Sequence, residues 1–317
     1  PRFYEGHSFF KWYQEYDEHL DWSEQNISEP YDENIELVEL NLDAAAGTVN
    51  IKGESTELFE FDHEGNVGPY EMNSTISDGI KKISFNLEHS IYNIIQILAD
   101  EGEEVLIPSP YWVSYPEMVK LAGASSKIVP TSAENHFKIT ADQLTENITD
   151  KTKVLILNSP SNPTGMLYSK EELEAIAEVC VKKGVFVISD EIYEKLIYDT
   201  PQYTSLASLG KDIYDLTITV NGISKAYSMT GWRIGYSAGP EEIMGYVKKL
   251  QDHSTSNPTS ISQMAALQAL KEPEEKILAM RDEFKRRRDL ITSKFDQIPE
   301  VTYIKPEGAF YLFCDFS

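Results

Sequence analysis

The sequence predicts an α/β fold: a mostly parallel sheet with helices on both faces, followed by the start of a smaller α+β domain. Three observations carry this. Continuous apolar runs at residues 153–157 and 185–189 have the length and composition of strands buried on both faces. They alternate with stretches whose apolar residues recur at helical spacing, as βαβ units require. The chemically distinctive stretches begin after Leu157, Ile188 and Val220, at the carboxyl ends of strands, where open α/β sheets collect ligands.

Taken in order, residues 1–45 read as an N-terminal arm or part of a small domain. Phe9, Phe10, Trp12, Tyr13, Tyr16 and Trp22 are spaced for an amphipathic helix or arm, packed on the core or at a dimer contact. Residues 46–273 form a large domain. Its first part, with Gly53, Gly65, Gly68 and Pro69, reads as loops with short strands. Ile91, Ile94, Ile95 and Leu98 mark a helix. A strand at 104–107 ends at Pro108 and Pro110, and a helix over 111–121 carries Pro116 as a cap or kink. Residues 128–129 are a strand candidate and 141–146 a short helix.

After the strand at 153–157, the turn residues of 159–165 lead to a helix opening at Ser169. Glu172 stands three residues on, at capping-box spacing. Leu173, Ile176, Ala177, Val179 and Cys180 form its buried stripe, and Gly184 stops it. Strands follow at 185–189 and 216–220, and helices at 241–252 and 260–271. Residues 274–317 read as a long interdomain helix, 274–295, and the opening strands, 301–304 and 309–313, of a small C-terminal domain.

Composition narrows the function. Of 317 residues, 41% are hydrophobic and 25% charged, ordinary for a globular protein. A net charge of −24 argues against nucleic acid or an anionic membrane as partner, since both need clustered Lys and Arg. Two scattered cysteines and six histidines show no metal-ligand spacing. Cys180, on an apolar helix face, reads as a buried thiol. Residues 1–7 lack the apolar core of a signal peptide, so a cytoplasmic location is expected. The Asn-x-Ser/Thr sequons at Asn26, Asn73 and Asn147 are then chance occurrences.

The most informative stretch spans 220–236, Val-Asn-Gly-Ile-Ser-Lys-Ala-Tyr-Ser-Met-Thr-Gly-Trp-Arg-Ile-Gly-Tyr. It sets Lys225 among small and hydroxyl residues past a strand end. A partly desolvated lysine is the side chain that forms Schiff bases with carbonyl cofactors; a solvated loop lysine is the alternative. Together with Asn-Ser-Pro-Ser-Asn-Pro-Thr-Gly at 158–165 and Ser-Asp-Glu-Ile-Tyr at 189–193, this stretch resembles the fold-type-I pyridoxal-phosphate aminotransferases. Within these it is similar to class I/II, the family that includes the aspartate aminotransferases. The resemblance runs from about residue 90 to 314 and is densest over 104–240.

That resemblance implies a site and a cofactor, pyridoxal 5′-phosphate. Lys225 would be the Schiff-base lysine and the proton shuttle at the substrate's α-carbon. Asp190 would pair with the pyridine nitrogen; on local sequence it could equally be a helix N-cap. Tyr193 and Asn162 would hydrogen-bond the phenolate oxygen, although a buried tyrosine and a turn asparagine are ordinary readings of both. Trp112, in a Pro-Tyr-Trp stretch, would stack on the ring or else be a core tryptophan. Ser224 and Arg233 would bind phosphate, Arg233 through two parallel bonds. No metal is implied.

The chain departs from the family pattern in places. Where relatives carry a small-residue turn that cradles phosphate at a helix start, this chain has Asn86, Leu87 and Glu88. Glu88 beside a phosphate dianion would cost about 1 kcal/mol. The glycine-rich N-terminal substrate segment is not recognisable. The arginine that grips the substrate carboxylate lies, in relatives, beyond residue 317, which suggests an incomplete chain.

The expected function is a ping-pong aminotransferase acting on an amino acid and a 2-oxo acid, as a homodimer by analogy. A pyridoxal-phosphate lyase or cyclase, or a non-catalytic homologue, are the alternatives. The absence of G-x-G-x-x-G or Walker sequences weakens a nucleotide-binding reading.

Overall fold

The computed structural model describes residues 24–30, 57–64, 83–84, 87–200 and 202–316, with side chains described from Ile91 onward. Two compact units divide between Ser77 and Asp78. In the first, β1 (Glu24–Pro30) and β2 (Glu57–Glu64) pair antiparallel, with Ile27 opposite Phe61. The aromatic stretch from Phe9 to Trp22 and the turn residue Asn86 lie outside the described residues.

The second unit holds the predicted sheet. Its strands are β3 (Ile83–Ser84), β4 (Glu104–Ser109), β5 (Ser125–Pro130), β6 (Thr152–Asn158), β7 (Phe186–Asp190), β8 (Thr217–Gly222) and β9 (Gly235–Ala238). They form one seven-stranded sheet in the order β3-β9-β8-β7-β6-β4-β5. Strands β4 to β8 run parallel, while β9 is antiparallel to β8 and β3 to β9.

Helices α1 (Leu87–Leu98), α2 (Ser114–Leu121), α3 (Ala141–Asn147), α4 (Lys170–Lys183), α5 (Lys211–Tyr214) and α6 (Glu241–Ser254) surround the sheet. Side-chain alternation in the strands assigns their faces. Val105, Ile107, Val154, Ile156 and Ile188 pack with Ile91, Ile94 and Ile95 of α1, Val119 of α2 and Met244 of α6. Leu106, Leu155, Leu157 and Val187 point the other way, against Leu144 of α3 and Leu173, Ile176 and Cys180 of α4. Each fully buried aliphatic contributes about 1.5–3 kcal/mol, so both faces of the sheet must be covered and the apolar runs are continuous.

Local signals act as the sequence predicts at α4. Ser169 accepts from the Glu172 amide and Glu172 reaches back to Ser169, while Gly184 closes the helix at φ +66°. Cys180 is fully buried, which pushes its thiol up to about 12.

Several boundaries differ from expectation. Strand β4 continues through Pro108 to Ser109. Its pairing with β6 covers only Glu104–Leu106, so the missing proline N–H breaks no bond on that side. Helix α2 opens at Ser114 rather than at 111, which places Pro116 in the first turn, where an amide has no helical partner anyway. Leu98 and Val179 are half-buried; Asn93 on α1 and Ala99 just after it are buried instead.

After α7 (Ser260–Lys271) and α8 (Glu274–Phe295), the strand expected at 301–304 shortens to β10 (Thr302–Tyr303). The strand expected over 309–313 does not form; β10 pairs with β11 (Cys314–Asp315). Residues 307–309 bond instead to loops at the carboxyl end of the large sheet. The Glu307 and Gly308 amides donate to the Gly165 carbonyl, and the Ala309 amide donates to the Leu196 carbonyl.

Candidate active site

The parallel strands deliver three loops to one edge of the sheet. Asn158 and Asp190 are register partners at the ends of β6 and β7, and Asp190 in turn pairs with Val220 of β8. The Asn158 side chain ties two of the loops together. Its amide donates to the Asp190 carbonyl at 3.0 Å, and its Oδ1 accepts from the Asn162 amide at 2.7 Å. The loop carrying Lys225 and Arg233 is pinched at its base, where Gly222 of β8 pairs with Gly235 of β9.

Asp190 is buried at 6% exposure. Burial pushes its carboxyl above the ordinary range, against hydrogen bonds from Tyr115 and the Ile192 amide and against the charge of Lys225. The Tyr115 hydroxyl donates to Oδ2 at 2.5 Å, and the Ile192 amide to Oδ1 at 3.3 Å. Even with these partners the carboxylate is under-compensated for its burial, and a cationic partner would favour its charged form.

Lys225 is half-buried. Its Nζ lies 5.8 Å from the centre of the Tyr193 ring and 5.5 Å from that of Phe310. Tyr193 is itself buried; burial and its hydroxyl partner Tyr311, 2.6 Å away, raise its pKa well above the usual phenol range. Trp112 packs edge-on against Tyr115 at 5.3 Å between centroids. Trp112, Tyr115 and Asp190 therefore form one connected chain.

Ser224 is buried, and its carbonyl accepts from the Thr230 hydroxyl at 3.0 Å. Arg233 is exposed, in a left-handed conformation at φ +54°, and its guanidinium donates to the Thr230 carbonyl at 2.8 Å. Thr230 thus holds Ser224 and Arg233 in one loop geometry. Leu87 and Glu88 form the first two residues of α1.

Sequence reasoning missed Asn158, Tyr115, Phe310 and Tyr311. Asn158 and Tyr115 sit in the stretches that marked the site, but their contacts cross between strands and carry no local signal. Phe310 and Tyr311 were hidden by the strand pattern of 309–313.

An amine, a buried carboxylate in need of a cation, a phenol beside both, and a hydroxyl with a guanidinium on the same loop suit a cofactor with a carbonyl, a basic ring nitrogen and a phosphate. The sheet is that of fold type I, and this donor set fits pyridoxal phosphate. The family model for aminotransferase class I and II matches residues 87–317, and the chain belongs to that family, whose members use pyridoxal phosphate.

The aspartate aminotransferase of Geobacillus stearothermophilus is 54% identical over 226 residues, 71% of this chain and 58% of that protein. The crystal structure of the aspartate aminotransferase from Rhizobium meliloti aligns with a TM-score of 0.72 and 37% identity, covering 74% of this chain and 59% of that one. An aromatic aminotransferase from Pyrococcus horikoshii aligns with a TM-score of 0.71 and 41% identity, over 74% and 63%. The chain therefore spans about three fifths of the length of these relatives. No helix among the described residues is long and apolar enough to cross a membrane.

Proposed function

We propose that the protein is an aminotransferase that moves an amino group between an amino acid and a 2-oxo acid, with Lys225 as its catalytic amine. The observation that carries this reading is the placement of Lys225 Nζ 5.8 Å from the ring centre of buried Tyr193, three residues after buried Asp190, at the carboxyl edge of the sheet. Pyridoxal phosphate, when bound, supplies the electron sink that makes the substrate's α-proton acidic. Lys225 carries that proton away and returns it. Asp190 keeps the ring nitrogen protonated, because a buried carboxylate is best satisfied by a cation.

Tyr193 and Asn162 donate to the phenolate oxygen, and Trp112 covers a ring face. Ser224 and Arg233 hold the phosphate. The division at residues 45 and 273, the homodimer, the cytoplasmic location and the absence of nucleic-acid or membrane partners belong to the same proposal.

The name of the Geobacillus relative supports aspartate as the amino donor, and that of the Pyrococcus neighbour keeps aromatic amino acids in the test. Purified protein with added pyridoxal phosphate is expected to show a visible absorbance band that Lys225→Ala abolishes. It should release no more than one equivalent of 2-oxo acid per site from aspartate alone, and turn over repeatedly only when a second 2-oxo acid is supplied. No band at saturating cofactor, or repeated turnover without an acceptor, overturns the reading.

A further inference from the structure

The segment after β10 crosses the loops that follow β6 and β7 as a tightly fastened strap. Glu307 and Gly308 donate to the Gly165 carbonyl at 2.9 Å each, Ala309 to the Leu196 carbonyl at 2.8 Å, and Tyr198 to the Glu307 carbonyl at 3.0 Å. The Tyr198 hydroxyl donates to the Ala309 carbonyl, and the Leu167 amide to Glu307 Oε2 at 3.1 Å. Contact is close enough to exclude side chains. A Cβ on Gly308 would stand 2.7 Å from Pro160 Cγ and 2.8 Å from the Leu196 carbonyl oxygen.

So fastened, the strap has little freedom in where it places its next two side chains. The Phe310 ring meets Tyr193 edge-on at 5.3 Å and lies 5.5 Å from Lys225 Nζ. The Tyr311 hydroxyl lies 2.6 Å from that of Tyr193.

We propose that Tyr311 is a positioning residue for Tyr193, orienting its phenol and strengthening it as a donor to the cofactor's phenolate oxygen. The inference rests on the pyridoxal-phosphate reading above. Proton counting gives the direction of the hydrogen bond. Each phenol has one proton to donate. When Tyr193 spends its own on the cofactor oxygen, the bond between the hydroxyls survives only with Tyr311 as donor and Tyr193 as acceptor. A phenol that accepts a hydrogen bond becomes a better donor. The chain from Tyr311 through Tyr193 then stabilises the deprotonated form of the lysine-bound cofactor, in which the phenolate carries charge without a neighbouring cationic nitrogen.

The test uses the holoenzyme and its visible absorbance titrated with pH, for wild type, Tyr311→Phe, Tyr193→Phe and the double variant. Both substitutions keep the ring and its packing. Tyr311→Phe is expected to raise the midpoint by on the order of half a pH unit, the size of one modest neutral hydrogen bond. Tyr193→Phe should raise it further, and adding Tyr311→Phe to Tyr193→Phe should change nothing. An unchanged midpoint in Tyr311→Phe overturns the proposal. So does an equal shift in both backgrounds, which would mean that Tyr311 acts through general packing. A wild type without any cofactor band overturns the cofactor reading and this inference together, whereas a normal band with no Tyr311 effect removes the inference alone.

Discussion

The Tyr115 hydroxyl donates to Oδ2 of Asp190 at 2.5 Å, and both residues are buried. Tyr115 comes from α2 and Asp190 from the end of β7, so one hydrogen bond joins the helix behind Trp112 to the carboxylate proposed for the cofactor nitrogen. Burial raises the Asp190 carboxyl, and Tyr115 is foremost among the groups that oppose the rise. Tyr115→Phe keeps the edge-on contact with Trp112 but removes the donor. A hydrogen bond to a charged group contributes about 1.5–3 kcal/mol, so we expect a 10- to 100-fold loss in kcat/KM. In an Asp190→Asn background the same change should cost little more, since the two residues act as one unit. Steady-state kinetics of the four proteins check this; additive losses would contradict it.

Glu191, the neighbour of Asp190 on the opposite side of the chain, predicts a pH dependence of stability. It is 2% exposed, and burial pushes its carboxyl up to about 7. The Ser189 and Ser205 hydroxyls donate to its Oε1 at 2.9 and 2.8 Å and oppose the shift, while Glu194 adds to it. Tyr203 and Tyr236 also feel its charge. The folded pKa is raised above the unfolded value of 4.5, so the native state holds the extra proton between these values. Its contribution is fully present below about pH 4.5 and is lost as pH rises through about 7. The loss amounts to roughly 3 kcal/mol. Glu191→Gln should flatten urea-unfolding stability between pH 5 and 8, and an unchanged slope would contradict the buried neutral carboxyl.

Much of the fold could be read from the sequence because its signals are local. The apolar runs at β6 and β7, the Ser169–Glu172 capping box and Gly184 each act within a few residues. The antiparallel β9 was not readable, because Gly235–Ala238 is short and its pairing with β8 depends on the loop between them. Residues 309–313 alternate like a strand, but tertiary bonds to Gly165 and Leu196 draw the preceding residues into the strap. Candidate site residues carried by motifs, such as Lys225 and Asp190, could be picked out locally. Tyr311 was not, since its contact spans 118 positions of sequence.

Arg288 fastens α8 to the same region. Its side chain is 5% exposed; it donates to Asp199 at 2.6 Å and to the Pro306 carbonyl at 3.0 Å, and lies 4.8 Å from the Tyr198 ring centre. Asp199 is half-exposed, so water can replace its lost partner, whereas the buried bond to Pro306 has no substitute. Arg288→Met should therefore cost about 1–3 kcal/mol, measured by denaturant unfolding. The stem's packing is largely kept, so a loss below 0.5 kcal/mol would mean the polar contacts contribute nothing net.

Gly165 tests how firmly the strap must sit. Its φ of +71° disfavours any side chain, and a Cβ there would stand 2.5 Å from Pro306 Cβ and 3.0 Å from the Gly308 carbonyl oxygen. Gly184 provides the control: its φ is +66°, but nothing lies within 4 Å of an added Cβ. Gly184→Ala should cost only the backbone term, about 1–2 kcal/mol. Gly165→Ala adds a clash against the Pro306 ring, which cannot rotate away, so the strap must lift and Phe310 and Tyr311 must move with it. We expect about 2–4 kcal/mol of lost stability and a cofactor absorbance whose pH midpoint moves in the same direction as in Tyr311→Phe. Equal costs for the two alanine variants, with an unshifted midpoint, would show that the strap can yield without disturbing Tyr193.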